Sequence, residues 1–157
     1  MSTKFSDYRF VTILEDGQSR PAGVTPENRV VLLPQFSSLR QMLAREEMEA
    51  ALNYLATSEG RYALGEVELL PVINNAQKYF CIGVNYANRN AEYKDGSKPP
   101  ENPSVFMRSR ESFVGHGQFI ERPPESHQLD YEGEIVVIIG KEGRRIKREN
   151  ARDHIAG

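Results

Sequence analysis

A single cysteine, Cys81, among 157 residues excludes an internal disulfide. It lies in the strand-like run Tyr79-Phe80-Cys81-Ile82-Gly83, which reads it as a small core residue rather than a reactive thiol. Long apolar runs are also missing. None approaches the ~20 residues of a membrane-spanning helix, and Met1 to Asp7 has no apolar signal-peptide core, so the expected setting is cytoplasmic, with no membrane partner. Neither sign of charge dominates: 20 basic and 22 acidic residues leave a net charge of -2, which gives no global pull toward nucleic acid. The one basic stretch carries Lys141, Arg144, Arg145, Lys147, Arg148 and Arg152. No aromatic residue interleaves with them and Gly143 marks a turn, so the expectation is a solvated hairpin and helix start. A glycine-rich nucleotide fingerprint is absent as well, because Gly115-His116-Gly117 is too sparse to cradle a phosphate.

What is present is ordered along the chain. Tyr8 to Leu14 alternates and is rich in β-formers, Asp16-Gly17 is a hairpin turn, and Ala22-Gly23-Val24 belongs to the returning strand. Pro26-Glu27-Asn28 turns into Arg29-Val30-Val31-Leu32-Leu33, which Pro34 ends. Ser37 or Ser38 caps a helix with apolar positions Leu39, Met42 and Leu43. A second stripe follows at Met48, Ala51, Leu52 and Leu55. Nine residues separate Leu39 from Met48, which at ~100° per residue would put the stripes on opposite sides of one straight helix. Two short helices with a break near Arg45 to Glu47 are therefore expected. Val67 to Ile73, broken by Pro71, reads as a passage between units, with a boundary at Asn74 to Lys78. The expected domains are residues 1–74 and 75–157. In the second, Lys78 to Val84 reads as a buried strand, Ala87 to Lys94 has helix-like composition, Asp95 to Pro103 is a loop, and Ser104 to Arg108 is again a strand.

The most informative stretch is Leu129-Asp130-Tyr131-Glu132-Gly133-Glu134, followed by Ile135-Val136-Val137-Ile138-Ile139 and Gly140. The aliphatic run predicts a strand buried on both faces. If that geometry reaches back to Leu129, Asp130, Glu132 and Glu134 share one face. Clustered carboxylates need either open water or a cation, and hard divalent ions take oxygen ligands. Two readings stand at this point: a solvated acidic edge, or a metal site for Mg2+, Mn2+ or Ca2+.

Four motifs together resemble the fumarylacetoacetate hydrolase family in order and spacing: Cys81-Ile82-Gly83-Val84-Asn85-Tyr86, Pro103 to Arg108, Ser112 to Gly117, and Asp130 to Glu134 with Ile138 to Lys141. The resemblance implies a mainly β, α+β fold, a β-roll or sandwich domain preceded by a small β-plus-helix amino-terminal domain. It also implies that Glu132 and Glu134 bind a divalent metal, and that the protein is a homodimer. The substrate it implies is a small 2-oxo or β-diketo carboxylic acid, turned over through a metal-stabilised enolate by isomerisation, decarboxylation or C–C hydrolysis, as in aromatic catabolism.

Arg108 stands where members of the family often carry a lysine, and two roles are open to it, pairing with a substrate carboxylate or a surface ion pair; Tyr86, Ser112 and His116 are further candidates, for substrate binding or for structural hydrogen bonds, and His127 and His154 have no assigned role. Two departures accompany the resemblance. The third carboxylate and a later lysine of the family pattern fall beyond Gly157, so the chain is expected to end within a domain. Where many members carry a histidine and a glutamate that activate water, this sequence has Arg89 and Glu92, and a permanently protonated guanidinium cannot serve as general base. Two alternatives follow: a non-catalytic structural or assembly domain of the same fold, and an acylpyruvate hydrolase in which Glu92 orients water.

Overall fold

The computed structural model describes residues 7–85, 101–130 and 132–157. They fall into two compact units, one of residues 1–74 and 114–157 and the other of residues 75–113.

The first unit is built on an antiparallel sheet. Its strands are β1 (Arg9–Glu15), β2 (Gln18–Val24), β3 (Arg29–Leu32), β4 (Tyr62–Ala63) and β5 (Glu68–Leu70), in the order β4-β3-β2-β1-β5. Asp16 and Gly17, both at positive φ, close the β1–β2 hairpin as expected for a primed turn. Neighbouring residues of a strand face opposite sides, so Val30 and Val31 belong to different cores. Val30 joins Ile13, Ala22 and Val24 on one side. Val31 and Leu33 join Phe36, Leu39, Met42, Ala51 and Leu55 on the other. Covering both faces explains why β3 reads as a continuous apolar run.

The two helices supply the second core. In α1 (Leu39–Ala44) the Ser38 hydroxyl accepts from the Gln41 backbone N–H at 3.1 Å, and the Gln41 side chain accepts from the Ser37 N–H at 2.8 Å. Two orphan amides at the helix start are thereby satisfied. The helix ends in a left-handed residue, Glu46 at φ 55°. The Glu46 N–H donates to the Leu43 carbonyl at 3.0 Å and the Glu47 N–H to the Met42 carbonyl at 3.1 Å. That bonding pattern stops a helix and redirects the chain, which here resumes as α2 (Met48–Thr57). Leu55 of α2 packs on β2 so closely that a Cβ added to Gly23 would lie 2.2 Å from a Leu55 methyl. Each such fully buried leucine contributes about 1.5–3 kcal/mol.

Strands β4 and β5 depart from the sequence expectation. Tyr62-Ala63 is too short to show periodicity, yet it pairs with β3. Val67 to Ile73, read as a passage between units, instead donates Glu68–Leu70 to the sheet edge beside β1. The apolar side chains of Val67 and Leu69 settle the matter by packing on the Ile13 cluster.

Glu15 ties the far strands together. Its carboxylate accepts from the Tyr62 hydroxyl at 2.6 Å and from Arg61 at 3.2 Å, while Arg20 lies 3.9 Å away. The hydrogen bond to Glu15, followed by desolvation, raises the Tyr62 phenol above its ordinary value. A raised phenol favours the neutral form in the folded protein. Its stabilising contribution is complete below the unfolded value near ~10, and declines as pH climbs from there through the folded value. Above that point the stability of Tyr62→Phe should therefore fall less with rising pH than that of the parent. Superimposable curves would mean that the clasp does not govern alkaline stability.

The second unit holds β6 (Phe80–Gly83) and β7 (Ser104–Met107), paired antiparallel with Phe80 opposite Met107 and Gly83 opposite Ser104. Arg108 continues the pairing through its N–H to the Tyr79 carbonyl at 3.2 Å, and the Tyr79 and Phe113 rings stack at 4.4 Å. The expectation of a buried strand at Lys78 to Val84 needs correction: Phe80 is 59% and Ile82 43% exposed, and Cys81 is only half-buried. A two-stranded ladder has no second layer to cover it. The predicted helix-like segment Ala87 to Lys94 lies outside the described residues, as does most of the loop predicted over Asp95 to Pro103.

A larger correction concerns Leu129 to Ile139. Among the described residues of this stretch no strand forms, and Ile135 is 87% and Val136 74% exposed. Pairing begins only at Ile138, whose N–H donates to the Gly157 carbonyl at 2.7 Å and whose carbonyl accepts from Ala156 at 2.8 Å, with one bridge from Ile139 to Ile155. An aliphatic run becomes a buried strand only where strands flank it and layers cover it. Here residues 155–157 flank its last two residues alone. Between these antiparallel ends the basic stretch is exposed, and the expected helix start takes the form of a short 3-10 helix, Arg148–His154.

Candidate functional site

The described residues distribute the sequence candidates over both units. Arg108 and Ser112 belong to the second; His116, Asp130, Glu132 and Glu134 belong to the first. Tyr86, Arg89 and Glu92 lie outside the described residues.

Asp130, Glu132 and Glu134 are exposed. The shared strand face expected for them has no strand to rest on, so alternation does not align the three carboxylates. Gly133 between the two glutamates has open space around it. Carboxylate oxygens are the donors a hard divalent cation takes, and Mg2+ is often held by only one or two of them together with substrate and water. In donor chemistry Glu132 and Glu134 therefore fit such an ion. Among the described residues no group of three or more His, Cys, Asp or Glu side chains is gathered closely enough to hold one.

Arg108 follows β7 directly, and its guanidinium lies over the Phe106 ring at 5.2 Å, a cation–π contact that restrains the fork. The Ser112 hydroxyl donates to the Ser109 carbonyl at 2.8 Å, closing a 3-10 turn, Arg110–Ser112. Its one proton is engaged, so toward a ligand it can only accept.

His116 stands on a turn locked to the sheet edge. The Gly115 N–H donates to the Gln118 side-chain oxygen at 2.6 Å, and the Gln118 amide nitrogen donates to Glu68 on β5 at 2.7 Å. Gly115 is buried so tightly that a Cβ there would lie 1.7 Å from the Leu69 carbonyl oxygen. His116 thereby lines a cleft of about 740 Å³ shared with Glu27, Asn28, Arg29 and apolar residues of the β4–β5 connection. Sequence reading missed this cleft, because its residues come from three distant stretches; of the two glycines flanking His116, Gly115 makes the close backbone approach and Gly117 takes a positive φ.

With the acidic stretch, the restrained Arg108 and the mainly β framework in place, comparison with known proteins gives the class. The family model for the fumarylacetoacetate (FAA) hydrolase C-terminal domain matches residues 78–157, and the chain belongs to that family. Among individual relatives, it is 42% identical over 98 residues to oxaloacetate tautomerase YisK of Bacillus subtilis, covering 61% of this chain and 33% of that protein. It is 32% identical over 133 residues to the 4-hydroxyphenylacetate degradation bifunctional isomerase/decarboxylase of Salmonella dublin, covering 85% of this chain and 29% of the relative. The chain thus spans about a third of the length of these curated relatives. The solved fumarylacetoacetate hydrolase of Exiguobacterium antarcticum superposes with a TM-score of 0.67 at 28% identity, over 96% of this chain and 53% of that one. The mainly β fold with few helices is that of the family. No helix among the described residues is long and apolar enough to cross a membrane.

Proposed function

We propose that this chain carries part of the active site of a metal-dependent enzyme that interconverts or cleaves a small 2-oxo acid, with oxaloacetate as the first substrate to try. The observation that carries the reading is the 42% identity over 98 residues to a protein named oxaloacetate tautomerase, in a chain that has two glutamates in the Asp130 to Glu134 stretch. In this reading Glu132 and Glu134 would hold a divalent cation. When bound, such an ion supplies Lewis acidity toward a carbonyl next to a carboxylate.

The remaining work belongs to the chain's own groups. Arg108, held over Phe106, offers a planar pair of N–H donors that suits a carboxylate better than a lysine would. Ser112 accepts a hydrogen bond from a substrate hydroxyl rather than donating one. Arg89 keeps its charge at all working pH values and so binds an anion without removing a proton. Proton removal by Glu92 remains compatible with this division, and tautomerisation or decarboxylation needs no histidine at position 89.

The test is to follow the enol-to-keto conversion of oxaloacetate by the full-length protein before and after chelation. Loss of turnover on chelation and recovery with Mg2+ or Mn2+ is expected. Unchanged turnover in protein shown by elemental analysis to be metal-free would overturn the reading.

A further inference from the structure

We propose that Arg108 recognises a second carboxylate at the far end of the substrate and that Phe106 is the positioning residue that holds it for that task, an assignment that rests on the 2-oxo acid reading. Alternation along β7 puts Ser104, Phe106 and Arg108 on one side of the β6–β7 ladder, and the register sets Gly83 opposite Ser104. Position 83 carries no side chain. The Phe106 ring approaches that gap, with its Cε1 3.7 Å from where a Cβ of residue 83 would stand. The Arg108 guanidinium carbon lies over the same ring, 5.2 Å from its centroid, and the Arg108 N–H donates to the Tyr79 carbonyl at 3.2 Å. Backbone and head group of the arginine are thus both held.

What is held is also unspent. Among the described residues the Arg108 guanidinium makes no hydrogen bond or ion pair, whereas those of Arg9, Arg29 and Arg61 are engaged by Asn28, Gly60 and Glu15. The arginines between residues 144 and 152 are free as well, but among the described residues none of them lies over a ring. A cation–π contact draws on the charge of a guanidinium and leaves its five N–H donors to a ligand. A carboxylate takes two of them as a fork, which the lysine common at this place in the family does not offer. A guanidinium restrained before the substrate arrives also loses less entropy on binding. The ring therefore acts through Arg108 without touching the substrate.

Calorimetric titration of the full-length protein tests the pair without turnover. The probes are L-malate, which has both carboxylates of oxaloacetate and a hydroxyl in place of the oxo group, and L-lactate, which lacks the distal carboxylate. Malate should bind at least about tenfold more tightly than lactate, the loss of one charge-assisted contact, and Arg108→Gln should bring the two together. Phe106→Leu should weaken malate about two- to fivefold, the size of an exposed cation–π contact, and leave lactate unchanged. Phe106→Tyr should restore malate, and Phe106→Leu added to Arg108→Gln should change nothing further. With oxaloacetate as substrate, the Phe106→Leu loss should fall on KM rather than kcat, because the distal carboxylate is bound alike before and during the reaction. Equal affinity for malate and lactate in the parent would overturn the proposal, as would no malate binding up to about 10 mM, roughly tenfold beyond the usual range of KM. A Phe106→Leu loss that persists in the Arg108→Gln protein would overturn it too, by making the ring a merely structural residue. Absence of oxaloacetate turnover alongside the malate pattern would count against the 2-oxo acid chemistry and still support the pair.

Discussion

Alanine at Glu132 or at Glu134 of the full-length protein should abolish tight divalent-cation binding and lower turnover by about two orders of magnitude or more, with folding intact. Two carboxylates are near the minimum with which a protein holds Mg2+, so losing one leaves a site that water outcompetes. Stability should change by less than about 0.5 kcal/mol, as for exposed substitutions generally, since both residues are exposed and neither belongs to a buried cluster. Asp130→Ala should have the smaller effect, because the family pattern assigns the ligands to the two glutamates. The measurement is cation titration by calorimetry alongside thermal melts. Unchanged cation affinity in both glutamate variants would make the stretch an ordinary solvated acidic segment and would remove the chemical basis of the proposed activity.

Gly115→Ala should destabilise the first unit by about 3 kcal/mol or detach the 114–118 turn from β5, since overpacking against main chain allows little relief. The new Cβ would sit 1.7 Å from the Leu69 carbonyl oxygen, 2.7 Å from the Leu69 carbonyl carbon and 2.9 Å from the Leu70 Cα. All three are main-chain atoms, so no side chain can swing aside. Gly65→Ala is the matched control: nothing lies within 4 Å of its added Cβ, and its φ is ordinary. Chemical denaturation midpoints compare the two. A Gly115→Ala protein as stable as Gly65→Ala, with the Gln118 to Glu68 contact intact by NMR, would contradict the packing described here.

Local signals explain which parts of the fold could be read in the sequence. The two helices were legible because the Leu39 and Met48 stripes cannot share one straight helix, and because Ser38 stands where a cap is needed. Asp16-Gly17 was legible as a hairpin turn for the same reason: the chemistry of two residues decides it. Strand β4 was not, since two residues carry no period. The aliphatic run Ile135 to Ile139 records what its side chains favour, but burial requires neighbours that no local pattern specifies, and here they remain largely exposed. The acidic candidates could be named from residue types and family motifs, whereas the cleft at His116 could not, because it depends on β5 meeting a turn some fifty residues away.

The order of strands has a bearing on how the first unit assembles during synthesis. Strands β1, β2 and β3 are successive in sequence and joined by short turns, so they can zip together soon after they emerge, at little loop-closure cost. The two edges behave differently: β4 reaches β3 only after both helices have been made, and β5 must return across the sheet to β1. The meander is therefore a nucleus that waits with both rims open. The face bearing Val31 and Leu33 acquires cover from α1 and α2 before either rim is sealed, while the Ile13 face waits for Tyr62, Leu64, Val67 and Leu69, which arrive with the rims themselves.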